Sequence, residues 1–150
     1  MLNLPEEHRR AIVAHGEKAY PREACGALLG KAAGNDKQVL ATVEALNRFG
    51  DLDEFQEGAG ESQDNRYVIP PEVVMKIERE ARRLGLDVVG YYHSHPDHPA
   101  RPSRYDQDHA WPWLSYVIVA VARGRAGDLN SFVLGDDRLV FAPEPVKMDP

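Results

Sequence analysis

A mixed α/β (α+β) fold, with a central mixed β-sheet flanked by helices, is what this sequence predicts, and three observations predict it. The elements run helix, two strands, helix, strand, short helix and three strands, without the regular strand–helix alternation of a doubly wound parallel sheet. A chain of 150 residues closes one sizeable core, so residues 1–150 read as a single domain. Apolar residues make up 43% and charged residues 28%, the proportions of an ordinary globular protein rather than a disordered one.

The first helix is "EEHRRAIVAHGEKAY", which follows Pro5, carries acidic residues in its first turn and ends before Pro21. "EACGALLGKA" is a compact apolar run and reads as a buried strand. The turn residues Gly34, Asn35 and Asp36 then lead into "KQVLATVEALNRF", the second strand of a hairpin. Residues 50–66, "GDLDEFQEGAGESQDNR", hold six acidic residues and three glycines with almost no apolar anchor, so they read as a long polar loop. "IPPEVVMKIEREARRLGLD" is the clearest helix. Pro71 suits its first turn, Val73, Ile77, Ala81 and Leu84 form one face, and Gly85 stops it. "DVVGYYHSH" is a strand and "SRYDQDHA" a short helix. "WLSYVIVAVA" is a buried strand by its β-branched and aromatic content, and "LNSFVLGDDRLVFAP" a closing hairpin turned at Gly135, Asp136 and Asp137. Trp111 and Trp113, either side of Pro112, are expected to pack at the sheet edge.

Charge and composition narrow the partners. A net charge of -6 argues against generic nucleic-acid or anionic-membrane binding, which recruit basic patches. Arg79, Arg82 and Arg83 do cluster, but on a helix, where a solvated face is the ordinary reading. The N-terminal "MLNLPEEHRR" lacks the apolar stretch of a secretory signal, and the longest apolar run, "YVIVAVA", is too short to span a bilayer. The cytoplasm is therefore the expected compartment. Cys25 is the one cysteine, which excludes an intramolecular disulfide and a cysteine-rich zinc site.

The chemistry concentrates in "GYYHSHPDHPARPSRYD". Side chains two apart on a strand share a side, so His93 and His95 can aim both imidazoles at one point. A catalytic zinc site takes three protein ligands and leaves a fourth position open. Asp106 is a plausible third ligand, because the proline-stiffened 96–102 loop can fold the chain back before it. Such a site also needs a base to move the proton of water. Asp97 and Asp108 are available, and Glu23 in "YPREACGALLG" is a further candidate, at the mouth of an apolar strand where burial would raise its pKa. Ser103, three residues before Asp106, can donate to a developing oxyanion and can equally cap the short helix.

His93, Ser94, His95 and Pro96, followed by Ser103 and Asp106, resemble the H-x-H-x7-S-x2-D signature of the JAMM (MPN+) zinc metalloproteases, and Glu23 matches the upstream glutamate of that motif. "RYVIPPEV" and "WPWLSYVIVAV" also look like bacterial and archaeal members, so the resemblance covers nearly the whole chain. It implies a fold related to the cytidine deaminases and a zinc-dependent hydrolase of amide or isopeptide bonds. His93, His95 and Asp106 match the Zn2+ ligands, Glu23 the general acid/base, and Ser103 the oxyanion-stabilising serine. The implied partner is a small ubiquitin-like or sulfur-carrier β-grasp protein whose tail ends in Gly-Gly.

Each residue also has a plainer reading. A glutamate at a helix-to-strand junction is ordinarily just solvated, and only the constellation promotes Glu23. His98 is expected to face solvent, and His109 can support the metal from behind a ligand. Cys25 is expected to be a small buried core thiol rather than a nucleophile. The 50–66 loop can close over a substrate tail. Metal-free relatives of this fold serve as binding modules, but they lack the ligand residues that this chain has. A zinc deaminase needs a cysteine pair that one cysteine cannot supply. The RadC-type relatives usually add a helical DNA-binding region, for which there is no room here.

Overall fold

The computed structural model describes residues 1–45, 70–104, 106 and 110–148. The chain forms β1 (Leu2–Asn3), α1 (Glu6–Ala19), β2 (Cys25–Ala33), β3 (Asp36–Ala45), α2 (Pro71–Leu84), β4 (Asp87–Pro96), β5 (Ser115–Ala122), β6 (Arg125–Leu134), β7 (Phe141–Glu144) and β8 (Val146–Lys147). The strands make one mixed sheet in the order β7-β6-β5-β4-β2-β3-β1-β8. β4 and β5 run parallel, as do β1 with β3 and β1 with β8, whereas the other neighbours are antiparallel. β7 and β8 lie at opposite ends of that order, yet Pro145 alone separates them in the chain. The sheet therefore curls until one short segment serves both its edges.

The two helices end where their residues dictate. α1 begins after Pro5 with Glu6 and Glu7 in its first turn, where carboxylates favour the helix dipole. α2 begins at Pro71, carries Arg82 and Arg83 in its last turn, and stops at Gly85. That glycine is left-handed at φ 70°, and the Leu86 amide closes onto the Ala81 carbonyl at 2.8 Å. Ile77 and Ala81 are buried as the helical period requires, but Leu84 is exposed, because it falls in the final turn beyond the edge of the sheet-facing stripe. No helix among the described residues is long and apolar enough to cross a membrane.

Each sheet face has its own core. Leu4, Leu28, Val39, Val117 and Val119 pack with Ile12 of α1 on one face, and Cys25, Ala27 and Leu29 pack with Ile77 and Ala81 of α2 on the other. Gly16 lets α1 approach closely, since an added Cβ would stand 3.2 Å from Val121 and 3.4 Å from the Cβ of Ser94. Gly26 lies under the ring of Tyr92, its cross-strand partner, and a Cβ there would fall on that ring and on the Val43 carbonyl. Gly26→Ala is expected to destabilise the protein by about 1–3 kcal/mol through overpacking, measured by urea denaturation.

One irregularity sets the functional face. Leu28 pairs with Gly90 and Leu29 with Val88, which leaves Val89 as an extra residue in β4. This bulge breaks the simple alternation: Val88 and Tyr91 pack on the α2 side, while Val89 and Tyr92 pack on the α1 side. Beyond it the alternation resumes with His93 directly across from Cys25. Both histidines thereby leave the α1-side core and share the α2 side of the sheet.

Inside the curl, Lys37 is buried, donating to the Trp113 carbonyl and, at 2.9 Å, to Ser115 Oγ. Glu144 answers it from β7 at 3.7 Å and accepts hydrogen bonds from Ser115 and Ser131. Burial lowers the Lys37 pKa and the carboxylate opposes that shift, so the pair ties β3, β5, β6 and β7 together. The tryptophans depart from expectation: Trp111 is 68% exposed and Trp113 42%. Their rings lie near Arg138 and Lys37 instead, the latter 4.7 Å from the Trp113 centroid, so cations rather than sheet-edge packing hold them.

Candidate metal centre

β4 delivers His93 and His95 to one point at the end of the parallel β4–β5 pair. Both are buried, and their Nε2 atoms lie 3.1 Å apart. Past Pro96 the chain turns at Asp97, left-handed at φ 58°, and the 97–103 loop is held at two carbonyls. Pro99 O takes a hydrogen bond from His95 Nδ1 at 2.9 Å, and Ala100 O takes one from Asn130 Nδ2 at 2.9 Å. A helical turn follows, in which Arg104 and Asp106 are described. Ser103 caps it: the Asp106 amide donates to Ser103 Oγ at 3.1 Å, and the Ser103 amide donates to Asp106 Oδ2 at 2.8 Å. This reciprocal capping box fixes the Asp106 carboxylate.

That carboxylate faces both imidazoles, with Oδ1 3.1 Å from His93 Nε2 and Oδ2 3.2 Å from His95 Nε2. Burial alone would raise the Asp106 pKa, but the charge and hydrogen bonds of His93, together with those of His95, hold it well below the usual carboxylate range. Glu23 comes from the connection between α1 and β2 and is buried. One of its oxygens and one nitrogen from each of His93 and His95 lie within 4.8 Å of one another, a group that could hold a metal ion.

The donor set fits a small cation. Pro99 O can only accept, so His95 places a proton on Nδ1, and its neutral ring would offer Nε2 as a lone pair to a cation. Nε2 and a carboxylate oxygen face each other at 3.2 Å, a contact that is favourable with either a second ring proton or a cation between them. Zn–N and Zn–O bonds of about 2.0–2.1 Å at tetrahedral angles set neighbouring donors about 3.3 Å apart. The two imidazole nitrogens, 3.1 Å apart, lie close to that spacing, and each is approached by a different oxygen of Asp106, at 3.1 and 3.2 Å.

The structure thus brings His93, His95, Asp106 and Glu23 together, with Ser103 bonded to Asp106. His98 is exposed, and Asp97 is bonded away from the histidine pair, to Tyr20 and Arg123. His109, Asp108 and the acidic 50–66 loop lie outside the described residues. Cys25 shares the face of His93 but is fully buried, and burial, helped by the Glu23 charge, pushes its thiol up to about 12. Native protein is accordingly expected to resist alkylation at pH 8 at least about a hundredfold better than unfolded protein, measured by mass spectrometry. Ser94, Tyr20 and Asn130 escaped the sequence reading. Ser94 sits between the two histidines and points to the opposite sheet face, a parity that strand alternation does reveal; the other two carry no local signal.

A curled mixed sheet with a helix on each face is the fold of the JAB1/MPN domain. A JAB1/MPN domain protein from Archaeoglobus fulgidus has this fold at a TM-score of 0.55 and 14% identity, covering 99% of this chain and 98% of its own. Residues 5–135 match the family described as prokaryotic homologs of the JAB domain, and the chain belongs to that family. A protein of Salinibacter ruber, solved in solution, is 37% identical with a TM-score of 0.73, covering 100% of this chain and 92% of its own. Among curated relatives, a desampylase of Haloferax volcanii is 30% identical over 122 residues, 78% of each chain. A desampylase of Pyrococcus furiosus is 32% identical over 137 residues, 90% of this chain and 82% of the relative.

Proposed function

We propose that this protein is a single-domain, zinc-dependent metallopeptidase that cleaves an amide or isopeptide bond at the C-terminal Gly-Gly tail of a small ubiquitin-like or sulfur-carrier protein in the cytoplasm. The observation that carries the reading is the convergence of two imidazoles and one carboxylate, 3.1 to 3.2 Å apart, beside a second buried carboxylate. The name of the two curated relatives, desampylase, belongs to enzymes acting on conjugates of a ubiquitin-like modifier, and supports the substrate class.

His93, His95 and Asp106 would hold the zinc. Bound there, zinc supplies Lewis acidity, making water a better nucleophile and the scissile carbonyl a better electrophile. Glu23 takes the proton of the attacking water and delivers it to the nitrogen as the C–N bond breaks, which yields a carboxylate and an amine. Its burial excludes bulk water, which would otherwise compete for that proton. Ser103 donates its hydroxyl to the oxyanion while its Oγ continues to accept the Asp106 amide. Ser103→Ala is expected to lower kcat by about 10- to 100-fold and stability by about 1 kcal/mol, and Ser103→Thr to restore stability before activity.

The direct test incubates metal-replete protein with carriers ending in Gly-Gly, each extended by one amino acid or joined to a lysine, and identifies the products by mass. Release of the diglycine-ended carrier is the expected result. Stoichiometric zinc with no release from any carrier would overturn the reading.

A further inference from the structure

Two residues that flank His95 hold the chain on either side of Glu23. Ser94 Oγ accepts the Ala24 amide at 2.8 Å, and the Ser94 amide donates to the Ala24 carbonyl at 3.0 Å. Asp97 Oδ2 accepts the Tyr20 hydroxyl at 2.6 Å, and its Oδ1 accepts the Arg123 amide at 2.9 Å. The Asp97 amide in turn donates to the Val121 carbonyl at 2.8 Å, which fixes the aspartate on the β5 end. The segment from Tyr20 to Ala24 is therefore pinned at both ends, to Ser94 in β4 and to Asp97 just past its end, with Glu23 between the pins.

We propose that Ser94 and Asp97 are positioning residues for Glu23, a clamp that sets the distance of its carboxylate from the histidine pair. The inference rests on the reading of Glu23 as the acid/base group. The geometry supports it in three ways. Ser94 is fully buried, so its hydroxyl serves the Ala24 amide rather than solvent. Asp97 occupies a left-handed conformation at φ 58°, which aspartate tolerates better than most side chains. The Tyr20 ring also rests 3.9 Å from where a Cβ on Gly124 would stand, beside the turn whose amide Asp97 holds. A displacement of about 1 Å at an acid/base group is enough to cost about 100-fold in rate, which is why such a clamp has value.

The test uses full-length protein carrying Tyr20→Phe, Asp97→Ala, Asp97→Asn and Ser94→Ala, read beside Glu23→Gln. Tyr20→Phe and Asp97→Ala are expected to lower kcat about tenfold, with KM changed less than twofold and one zinc still bound per chain. Asp97→Asn restores most of the rate, because asparagine keeps the left-handed turn and can bond both partners. Added to Glu23→Gln, Asp97→Ala brings no further loss, whereas a merely structural role would lower both backgrounds equally. Amide exchange at Ala24 and the carboxyl 13C shift of Glu23 read the clamp without turnover, so they report even if no carrier is cleaved. Faster Ala24 exchange by at least tenfold in Ser94→Ala, and a moved Glu23 resonance in Tyr20→Phe, support it. A kcat within twofold of wild type in Tyr20→Phe and Asp97→Ala, or an unmoved Glu23 resonance, would overturn it.

Discussion

Exchange of His95 for alanine is expected to empty the centre of zinc and to lower hydrolysis of a carrier tail by at least about a thousandfold, or about 4 kcal/mol of transition-state stabilisation. In the proposed site His95 is the ligand whose proton the protein itself would place, since the Pro99 carbonyl occupies Nδ1 and leaves Nε2 for a cation. Removing it leaves His93 and Asp106 with too few donors for a closed set of three. Metal content of the purified variant and single-turnover rates check this. Zinc retained at one per chain, with activity intact, would place the metal elsewhere.

Glu23→Gln is expected to behave in the opposite sense towards metal while nearly matching the loss of rate. Glutamine keeps the shape of the side chain but cannot carry the proton, so kcat falls by about 100- to 10,000-fold with zinc still bound. This variant separates two carboxylates that both stand beside the same histidine pair. Asp106 lies 3.1 and 3.2 Å from their Nε2 atoms and is held by a capping box, whereas Glu23 belongs to the looser group within 4.8 Å. Loss of zinc from the Glu23→Gln variant would make Glu23 a ligand rather than the proton carrier.

Much of this arrangement was legible in the sequence, because its determinants are local. Pro71 and Gly85 bound α2 in the structure as their backbone preferences require. The two-residue spacing of His93 and His95 and the S-x-x-D cap at Ser103 are each settled within one turn or one strand. The illegible parts depend on distant partners. β1 and β8 are two residues each, too short for a periodic pattern, and exist only through backbone bonds to one another and to β3. The β5–β6 hairpin turns at Arg123 and Gly124, and β6 starts at Arg125, four residues before the apolar signal at Leu129. Trp111 and Trp113 look like edge packing by type, yet cations from β3 and the β6–β7 turn decide their place.

The extra residue at Val89 ties the centre to chain length as much as to side-chain identity. Deleting that one residue would leave every pairing in place: Leu29 would still face Val88, Leu28 Gly90 and Cys25 His93. A second residue lost from the same stretch has no bulge left to absorb it, so with pairing held at Leu29 both imidazoles would turn into the α1-side core. The bulge is one residue of slack in the strand that carries the histidine pair, a constraint written in counting rather than in chemistry.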